Sequence, residues 1–279
     1  MPTHKLSLLG KLILYLLLIL FAIQFSAPFL WMISTAFKPL NETMTLPPVW
    51  IPSEWKWENF PDAIKSMGFF WRYAGNTLYV ALLSVFGSVL SSSLAAYGFS
   101  RIEWKGRDKV FYLCIATMMI PFPVIMVPTY ALFRELDWIG TFRTLYLPFF
   151  LGNAFNIFLL RQFFLGIPKS ITEAARIDGC SELRIFFQII LPLSKSALLV
   201  IALFTFMHCW NDFFAPFIFL NDQENYTLAL GLQAFQSRQG GTEWHFLMAA
   251  STLIILPLIV LFFFTQKTFI QGITATGGK

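Results

Sequence analysis

Charged side chains are scarce in this sequence of 279 residues, since Asp, Glu, Lys and Arg together make up 13% of it. Water-soluble domains carry about 25% charged residues. Hydrophobic residues make up 57% of the chain and aromatic residues 18%. The scarcity of charge therefore excludes a water-soluble globular protein and indicates a chain that lies in lipid.

Cysteine and histidine are also few, with three residues of each type. The cysteines are odd in number and lack the paired spacing of metal ligands, so we predict neither a disulfide framework nor a zinc site. His4, His208 and His245 are far apart, which disfavours the titratable cluster expected of a membrane-embedded enzyme. The net charge of +5 is spread between apolar runs, which argues against nucleic acid as a partner. We expect no catalytic residue and no metal site in this chain.

The sequence does contain a series of apolar runs without charge. A membrane helix needs about 20 mainly apolar residues. Six runs approach or exceed that length, namely residues 12–33, 74–100, 110–133, 144–160, 196–211 and 246–266. We expect the fifth run to continue through Asp212 to about Leu220. These runs predict an all-α integral membrane protein with six transmembrane helices.

The first run, residues 12–33, has an alternative interpretation as a signal peptide, because Lys5 and Lys11 precede it. Its 22 residues exceed the apolar stretch of a signal peptide, which is about 7 to 15 residues long. No small-x-small cleavage site follows the run. We therefore predict a retained transmembrane helix.

The positions of the basic residues predict the orientation of the chain. Thirteen of the 20 Lys and Arg residues lie in the two termini and in the loops after the second and fourth runs. By the positive-inside rule these segments face the cytoplasm, so both termini are expected to be cytoplasmic. The predicted organisation is a cytoplasmic N-terminus (1–11), a first span (12–33), an external loop (34–73), a core of five spans (74–267) and a cytoplasmic tail (268–279).

The cytoplasmic loop at residues 165–194 is longer than the roughly 2 to 8 residues that connect two packed helices. Ser170 followed by Glu173 is a capping-box pattern and predicts a helix that starts near Ile171. Gly179 is expected to end this helix, because glycine readily takes the left-handed conformation found after helix ends.

A second helix is expected in the same loop after Ser181, over residues 182–190. Pro192 either stops this helix or opens the fifth span. The sequence therefore predicts two short helices joined by a tight turn.

The first of these helices has the chemistry of a docking element. Ala174 and Ala175 make it slim, while Glu173, Arg176 and Asp178 offer charged groups to a partner. The alternative is an interfacial amphipathic helix that only lies on lipid. The residue pattern alone leaves both interpretations open.

The same residues resemble a known family signature. The pattern reads Glu173-Ala174-Ala175, three residues, Gly179, nine residues, Ile189, one residue, and Leu191-Pro192. It resembles the EAA motif of the membrane subunits of binding-protein-dependent ABC importers. Within that family the chain resembles the carbohydrate class, which includes the smaller permease subunit of maltose importers. The similarity extends from about Asn76 to the C-terminus, with supporting stretches AAYGFSR (95–101), MMIPFPVIMVPTY (118–130) and WNDFFAPF (210–217).

The resemblance implies that the first loop helix is a coupling helix seated in a cleft of a cytoplasmic ATPase. Glu173 would contact an arginine of the ATPase. Ala174 and Ala175 would allow close approach, and Gly179 would make the turn. The other residues implied in the coupling site are Arg176, Asp178, Leu191 and Pro192.

The resemblance also implies partners for the permease core at residues 74–267. They are a second homologous permease subunit, two ATPase subunits, an external solute-binding protein and a small sugar or polyol. The partners would bind ATP and Mg, because this chain has Gly278 where a Walker motif has lysine. We expect no cofactor on this chain, and contact with the binding protein through Gly240 and Gly241.

Polar residues within the apolar runs are candidates for a substrate path. They are Tyr97, Asn153, Asn156, Trp210, Asn211 and Asp212. Aromatic, amide and carboxylate groups suit a sugar, but amides and small residues also join membrane helices to one another. Both interpretations stay open at the level of sequence.

A proton-coupled secondary transporter is the alternative function. Such proteins usually place titratable groups in the middle of the membrane. The nearest candidate is Asp212, which lies about 25 Å along its helix and so near the outer edge of a hydrocarbon core about 30 Å thick. Its position disfavours this alternative.

Overall fold

The computed structural model describes residues 7–236 and 241–277 of the chain. The α-helices are α1 (Leu8–Ala36), α2 (Asn59–Met67), α3 (Phe70–Ser100), α4 (Arg107–Ala116), α5 (Phe122–Glu135), α6 (Arg143–Tyr146), α7 (Ala154–Gly166), α8 (Lys169–Ile177), α9 (Glu182–Ile185), α10 (Leu191–Leu193), α11 (Lys195–Asn211), α12 (Phe214–Phe219), α13 (Leu228–Gly231) and α14 (Trp244–Gly277). Short 3₁₀-helices lie at Leu40–Glu42, Thr117–Met119, Leu147–Leu151, Gln223–Asn225 and Leu232–Phe235, and a π-helical turn lies at Phe186–Ile190. Between residues 7 and 236 and from 241 to 277, the sole β-pairing is an isolated bridge of Gln236 with Thr242. The predicted all-helical fold is confirmed.

Four helical segments of the described chain are long and apolar enough to cross a membrane. They are Leu8–Ala36, Phe70–Ser100, Arg143–Gly166 and Trp244–Gln266. Two bent pairs of helices also qualify, Arg107–Met119 with Phe122–Glu135 and Glu182–Leu193 with Lys195–Asn211. The number of candidate spans is therefore four, or up to six if each bent pair is one span.

The third apolar run is not the continuous helix that its composition predicts, because the chain bends by 100° between Met119 and Phe122. Ile120 precedes a proline and takes an extended conformation, with ψ 111°. Pro121 then stands at the N-cap of α5. A proline that follows an extended residue ends one helix and begins the next, so hydropathy alone hides this break.

The fifth run is interrupted as well, and the predicted continuation of one helix through Asp212 is wrong. Asp212 has an extended ψ of 114° and ends α11. Its Oδ1 accepts hydrogen bonds from the backbone N–H groups of Phe214 (3.0 Å) and Ala215 (3.2 Å). An aspartate in this position caps the start of a new helix, which is α12.

The chain forms two compact units, one made of residues up to 68 with 232–257 and one made of 69–231 with the residues from 258 on. In the first unit, Asn59 donates hydrogen bonds of 2.9 Å to the carbonyls of Ala36 and Lys38. The Lys38 ammonium is buried 3.6 Å from the ring centroid of Trp31. These contacts fix the segment that follows α1.

In the second unit, α3 is the central helix and packs against α7, α11 and the 3₁₀-helix Leu147–Leu151. Its residues with no exposed surface are small and recur every three or four positions, namely Thr77, Ala81, Ser84, Ser88, Ser92 and Ala96. Gly87 lies so close to the ring of Phe150 that a Cβ there would overlap with it. Small residues let membrane helices approach one another closely, which explains why a serine-rich helix forms the centre of this unit.

Candidate functional site

Helix α8 carries the EAA-like residues and begins earlier than predicted. Its N-cap is Pro168, with φ −55° and ψ 132°, and no side chain caps it. The predicted capping box of Ser170 and Glu173 is therefore wrong. Proline suits the start of a helix because its missing N–H has no partner to lose there, and this places Lys169 as the first helical residue.

The end of α8 agrees with the prediction at Gly179, which has φ +80°. The Gly179 N–H donates to the carbonyl of Arg176 (3.0 Å), and the Cys180 N–H donates to the carbonyl of Ala175 (2.9 Å). This pair of bonds is a Schellman motif. No atom lies within 4 Å of the position that a Cβ on Gly179 would take, so the backbone conformation, not space, requires glycine.

The second predicted loop helix is also present. The Ser181 hydroxyl oxygen accepts a hydrogen bond of 3.4 Å from the Arg184 N–H and caps α9. The helical path continues through Phe186–Ile190 and α10, and the chain then bends by 81° before α11. Pro192 lies within this helical path, in the three-residue α10, so it neither stops the second loop helix nor begins α11.

The two faces of α8 differ in exposure. Thr172 and Ala175 are buried against the chain itself. The four residues Ser170, Glu173, Ala174 and Ile177 are exposed and share one face, since they are three or four positions apart. We call these four residues the exposed face of α8. Ala175, predicted to allow approach of a partner, instead packs in the core with Ile185 and Phe186.

Sequence analysis missed Ile177, whose surface is 86% exposed. It follows Glu173 by four positions and Ala174 by three, so the helical periodicity of the motif contained the signal. Single exposed apolar side chains are common on protein surfaces, so the interest of Ile177 lies in its position on the same face as Glu173 and Ala174.

Arg176 and Glu182 join α8 to α9. The Arg176 Nε donates to Glu182 Oε1 at 2.6 Å, and a terminal nitrogen of Arg176 also donates to the carbonyl of Arg101 at 3.3 Å. The hydrogen bond from Arg176 lowers the pKa of the Glu182 carboxyl, and the same contact raises the pKa of Arg176. Arg176 therefore makes its contacts within this chain.

Tyr97 lies beside this ion pair and not in a substrate path. Its hydroxyl donates a hydrogen bond of 2.5 Å to Glu182 Oε2. Its ring is 5.3 Å from that of Phe186, and its surface is 4% exposed. Tyr97 therefore packs against the loop at residues 165–194 and is not among the residues that line the cavity described below.

Two more arginines hold the C-terminal end of α3. Arg101 donates hydrogen bonds to the carbonyls of Phe164 and Ile167, the second at 2.6 Å. Arg161 donates to the carbonyl of Phe99 at 3.1 Å. Cations at helix ends satisfy free carbonyls and interact favourably with the helix dipole, so the ends of α3 and α7 are bonded to each other.

Asn156 joins three helices. Its side-chain amide donates to the Ser88 hydroxyl of α3 at 2.8 Å and to the Thr205 hydroxyl of α11 at 3.3 Å. Asn156 itself lies on α7, and its surface is 4% exposed. The alternative interpretation as a helix-joining residue fits this geometry.

A cavity of about 880 Å³ lies in the second unit, between α5, α7, α11 and α12. Its walls are mainly aromatic and aliphatic, and its polar lining includes Asn153, Asn156, His208 and Asp212. Asp212 is the one charged residue among those that line it. Three of the six predicted path residues therefore meet at one cavity.

The remaining predicted path residues lie elsewhere. Trp210 is 5% exposed and its ring stacks on that of Phe206 at 5.3 Å. Asn211 is exposed and donates to the carbonyl of Met207 at 2.8 Å. Gly241 is exposed in the first unit, whereas Gly240 lies outside the described residues.

Comparison with known proteins places this fold and loop in a family of transport permeases. Residues 87–275 match the family described as binding-protein-dependent transport system inner membrane component. The chain belongs to this family. It is therefore a membrane-embedded transport component and not an enzyme, and membership decides against the secondary-transporter alternative.

Several curated relatives match along most of the chain. An arabinooligosaccharides transport system permease protein of Halalkalibacterium halodurans is 34% identical, over 90% of this chain and 90% of its own length. A trehalose/maltose transport system permease protein of Thermococcus litoralis is 32% identical, over 96% and 97%. A diacetylchitobiose uptake system permease protein of Streptomyces coelicolor is 31% identical, over 90% and 91%.

A solved structure shares the fold. It is a bacterial ABC transporter involved in the import of the acidic polysaccharide alginate, with a TM-score of 0.83. The match covers 96% of this chain and 100% of that chain, at 24% sequence identity. At that identity the likeness concerns the fold alone.

Proposed function

We propose that this chain is the membrane subunit of an ATP-driven, binding-protein-dependent importer of a carbohydrate or related polyol. The names of the three curated relatives, all permeases for oligosaccharides or disaccharides, support the substrate class. The observation that carries the coupling role is the geometry of α8. One face of this short helix is anchored by Thr172 and Ala175, and the other is presented to a partner.

The proposed topology has six spans with both termini in the cytoplasm of a bacterial cell. The bent pair Arg107–Met119 with Phe122–Glu135 is then one span, and α11 (Lys195–Asn211) is the span that follows the helices of the cytoplasmic loop. The excess of Lys and Arg in the termini and in the loops after the second and fourth spans supports this orientation. Residues 74–267 form the permease core, and the loop at 165–194 faces the cytoplasm.

The exposed face of α8 docks in a cleft of an ATPase subunit. Glu173 offers a carboxylate to a basic group of the partner, and Ala174 allows close approach. Ile177 supplies an apolar contact next to them. Two ATPase subunits bind ATP and Mg, and this chain binds neither.

Further partners complete the importer. A second, homologous permease subunit forms the other half of the pathway, and an external binding protein delivers the substrate. The segment at residues 235–243, with Gly240 and Gly241, contacts that protein. Alternating access then follows from closure and opening of the ATPase pair.

The cavity of the second unit forms part of the substrate path. Its aromatic walls suit the apolar faces of sugar rings, and Asn153 and Asp212 suit their hydroxyl groups. Lysine and arginine are absent from the cavity lining in the described chain, which favours a neutral substrate over a phosphorylated one.

The complex, purified through an affinity tag on this chain and reconstituted in vesicles, tests this proposal. We expect ATP hydrolysis and uptake to rise when the binding protein is loaded with a suitable sugar. Arabino-oligosaccharides, diacetylchitobiose, trehalose and maltose are the first to compare. Uptake driven by a proton gradient without ATP, in vesicles that hold only this chain, would contradict it.

A further inference from the structure

We propose that Glu182, held between Tyr97 and Arg176, is a positioning residue that makes α8 and the C-terminal end of α3 move as one body. The inference rests on the proposed role of α8 as the helix that contacts an ATPase. It adds a connection that is absent from the EAA-like pattern, because Tyr97 and Glu182 both lie outside that pattern.

Helix α8 is attached to the rest of the chain by few buried side chains. Of its nine residues, Lys169 to Ile177, two are buried, Thr172 and Ala175. Two small side chains bury little surface. Because hydrophobic stabilisation scales with buried area, burial alone stabilises the position of α8 only weakly. Hydrogen bonds must therefore fix the position of α8. The strongest of them are those that the Arg176 guanidinium donates.

The Glu182 carboxylate accepts hydrogen bonds from two helices at once. Arg176 of α8 donates to its Oε1 at 2.6 Å, and Tyr97 of α3 donates to its Oε2 at 2.5 Å. Bonds to an ionised group are stronger and more directional than neutral ones. A single carboxylate thus links α8 to α3, with the second Arg176 bond to the Arg101 carbonyl in parallel.

The three residues joined by these hydrogen bonds differ in how far they are buried. The Tyr97 and Glu182 side chains belong to residues 85 positions apart. Tyr97 is buried, whereas 43% of the Glu182 side chain and 40% of the Arg176 side chain are exposed. The connection therefore runs from a surface ion pair into the core of the second unit.

Helix α3 connects Tyr97 with the cavity of the second unit. Nine positions before Tyr97, the Ser88 hydroxyl accepts from Asn156, a residue that lines the cavity. A rigid helix carries a displacement of one end to the other. Spatial continuity alone does not demonstrate coupling, so the test must measure coupling directly.

The test compares transport per ATP hydrolysed in the reconstituted complex. Tyr97→Phe removes one hydroxyl and Glu182→Gln removes one charge, each at almost constant volume. The matched controls are Tyr112→Phe, at a tyrosine 70% exposed on α4, and Glu135→Gln, at an exposed glutamate at the end of α5. We expect the ratio of sugar moved to ATP hydrolysed to fall about fivefold or more in both test variants, at the lower end of typical coupling effects.

A distance measurement provides a readout that loss of stability alone would not mimic. Spin labels are placed at Lys105, in the turn after α3, and at Lys169, the first residue of α8, in a chain with its native cysteines replaced. In the otherwise native complex we expect one narrow distance distribution, the same without nucleotide and with ATP trapped. With Tyr97→Phe the distribution should broaden and shift between the two states.

The outcomes separate this inference from the proposed function. A native complex without ATP-driven sugar uptake would contradict the proposed function, and the label distances would still test the link. The inference is wrong if the native complex takes up sugar normally and if Tyr97→Phe and Glu182→Gln each move as much sugar per ATP hydrolysed as their control variants do. A label distance in the native complex that changes with nucleotide would also overturn it.

Discussion

The side-chain amide of Asn156 donates a hydrogen bond of 2.8 Å to the hydroxyl of Ser88. The same amide donates to Thr205 at 3.3 Å, so one side chain bridges α7, α3 and α11. This geometry favours a structural role for a residue that also lines the cavity.

Asn156→Leu should therefore destabilise the protein. We expect a loss of about 0.5 to 1.5 kcal/mol, because hydrogen bonds between membrane helices are worth about 0.6 kcal/mol on average and 1.7 at most. Thermal unfolding of the purified chain in detergent, followed by tryptophan fluorescence, measures the loss. The control is Asn211→Leu, at an exposed amide. Unchanged stability together with altered sugar selectivity would instead assign Asn156 to substrate contact.

The effect of a substitution at Gly179 should depend on how well the new residue tolerates the positive φ of this position. At φ +80° asparagine is tolerated better than alanine, and a left-handed alanine costs roughly 1 to 2 kcal/mol. Proline is worse still, since its φ is fixed near −65° and it has no N–H to donate to the Arg176 carbonyl. We expect sugar uptake to decrease in the order Asn, Ala, Pro at equal amounts of assembled complex. Equal uptake by all three variants would show that the turn is dispensable.

Ala174 and Ala175 offer a matched pair of substitutions. Ala174 is exposed and Ala175 is 7% exposed. Ala174→Leu should leave thermal unfolding of the chain unchanged and weaken assembly with the ATPase, as should Glu173→Lys. Ala175→Leu overfills a packed site and should destabilise the chain by about 1 to 3 kcal/mol.

Thermal unfolding of the chain and co-purification of the ATPase measure the two effects separately. The opposite assignment, with Ala174→Leu destabilising and Ala175→Leu neutral, would contradict the proposed orientation of α8.

The positions of several elements could be predicted from local sequence because local chemistry determines them. Gly179 ends α8 since glycine adopts φ +80° without strain, and Ser181 caps α9 through its own hydroxyl. The apolar runs become helices because in lipid the backbone must satisfy its own hydrogen bonds.

Other features could not be predicted, because they depend on residues distant in the chain or on a competing local signal. Tyr97 has an amphipathic ring that suits a sugar, and nothing near it in the sequence indicates Glu182. At the start of α8, the capping box at Ser170 competes with Pro168, and the proline determines the first turn. The break at Pro121 lies inside a run of uniform hydropathy, and Asp212 follows the run 196–211 where further apolar residues indicated a continuing helix.

The ion pair of Glu182 with Arg176 should give a pH-dependent contribution to stability. The Arg176 hydrogen bond lowers the pKa of Glu182 below its ordinary value of 4.5. The contribution is therefore fully present above pH 4.5 and is lost as the pH falls through the lower pKa of the folded state. Since the pair is partly exposed, its size should not exceed about 1 kcal/mol.

The measurement is the difference in unfolding free energy between the native chain and Glu182→Gln in detergent. We expect this difference to stay constant from about pH 7 to pH 5 and to shrink at lower pH. Glu135→Gln, at an exposed carboxyl of α5, controls for the general effect of removing one negative charge. A difference that grows as the pH falls would contradict the sign of the shift.

Asp212 combines a helix cap with a place in the cavity lining, and two substitutions separate these roles. Asp212→Asn keeps a side-chain oxygen that can accept from the N–H groups of Phe214 and Ala215, so stability should change by a few tenths of a kcal/mol at most. Asp212→Ala removes the cap and should cost about 1 kcal/mol.

Because a carboxylate accepts from sugar hydroxyls more strongly than an amide does, we expect Asp212→Asn to raise the KM for sugar uptake. The measurement is initial uptake at several concentrations of loaded binding protein and sugar in reconstituted vesicles, beside thermal unfolding of each variant. Asp222→Asn, at an exposed aspartate ten positions after Asp212, serves as the control. A native KM for Asp212→Asn, with reduced stability for Asp212→Ala, would restrict Asp212 to capping α12 and leave sugar contact to the amide of Asn153.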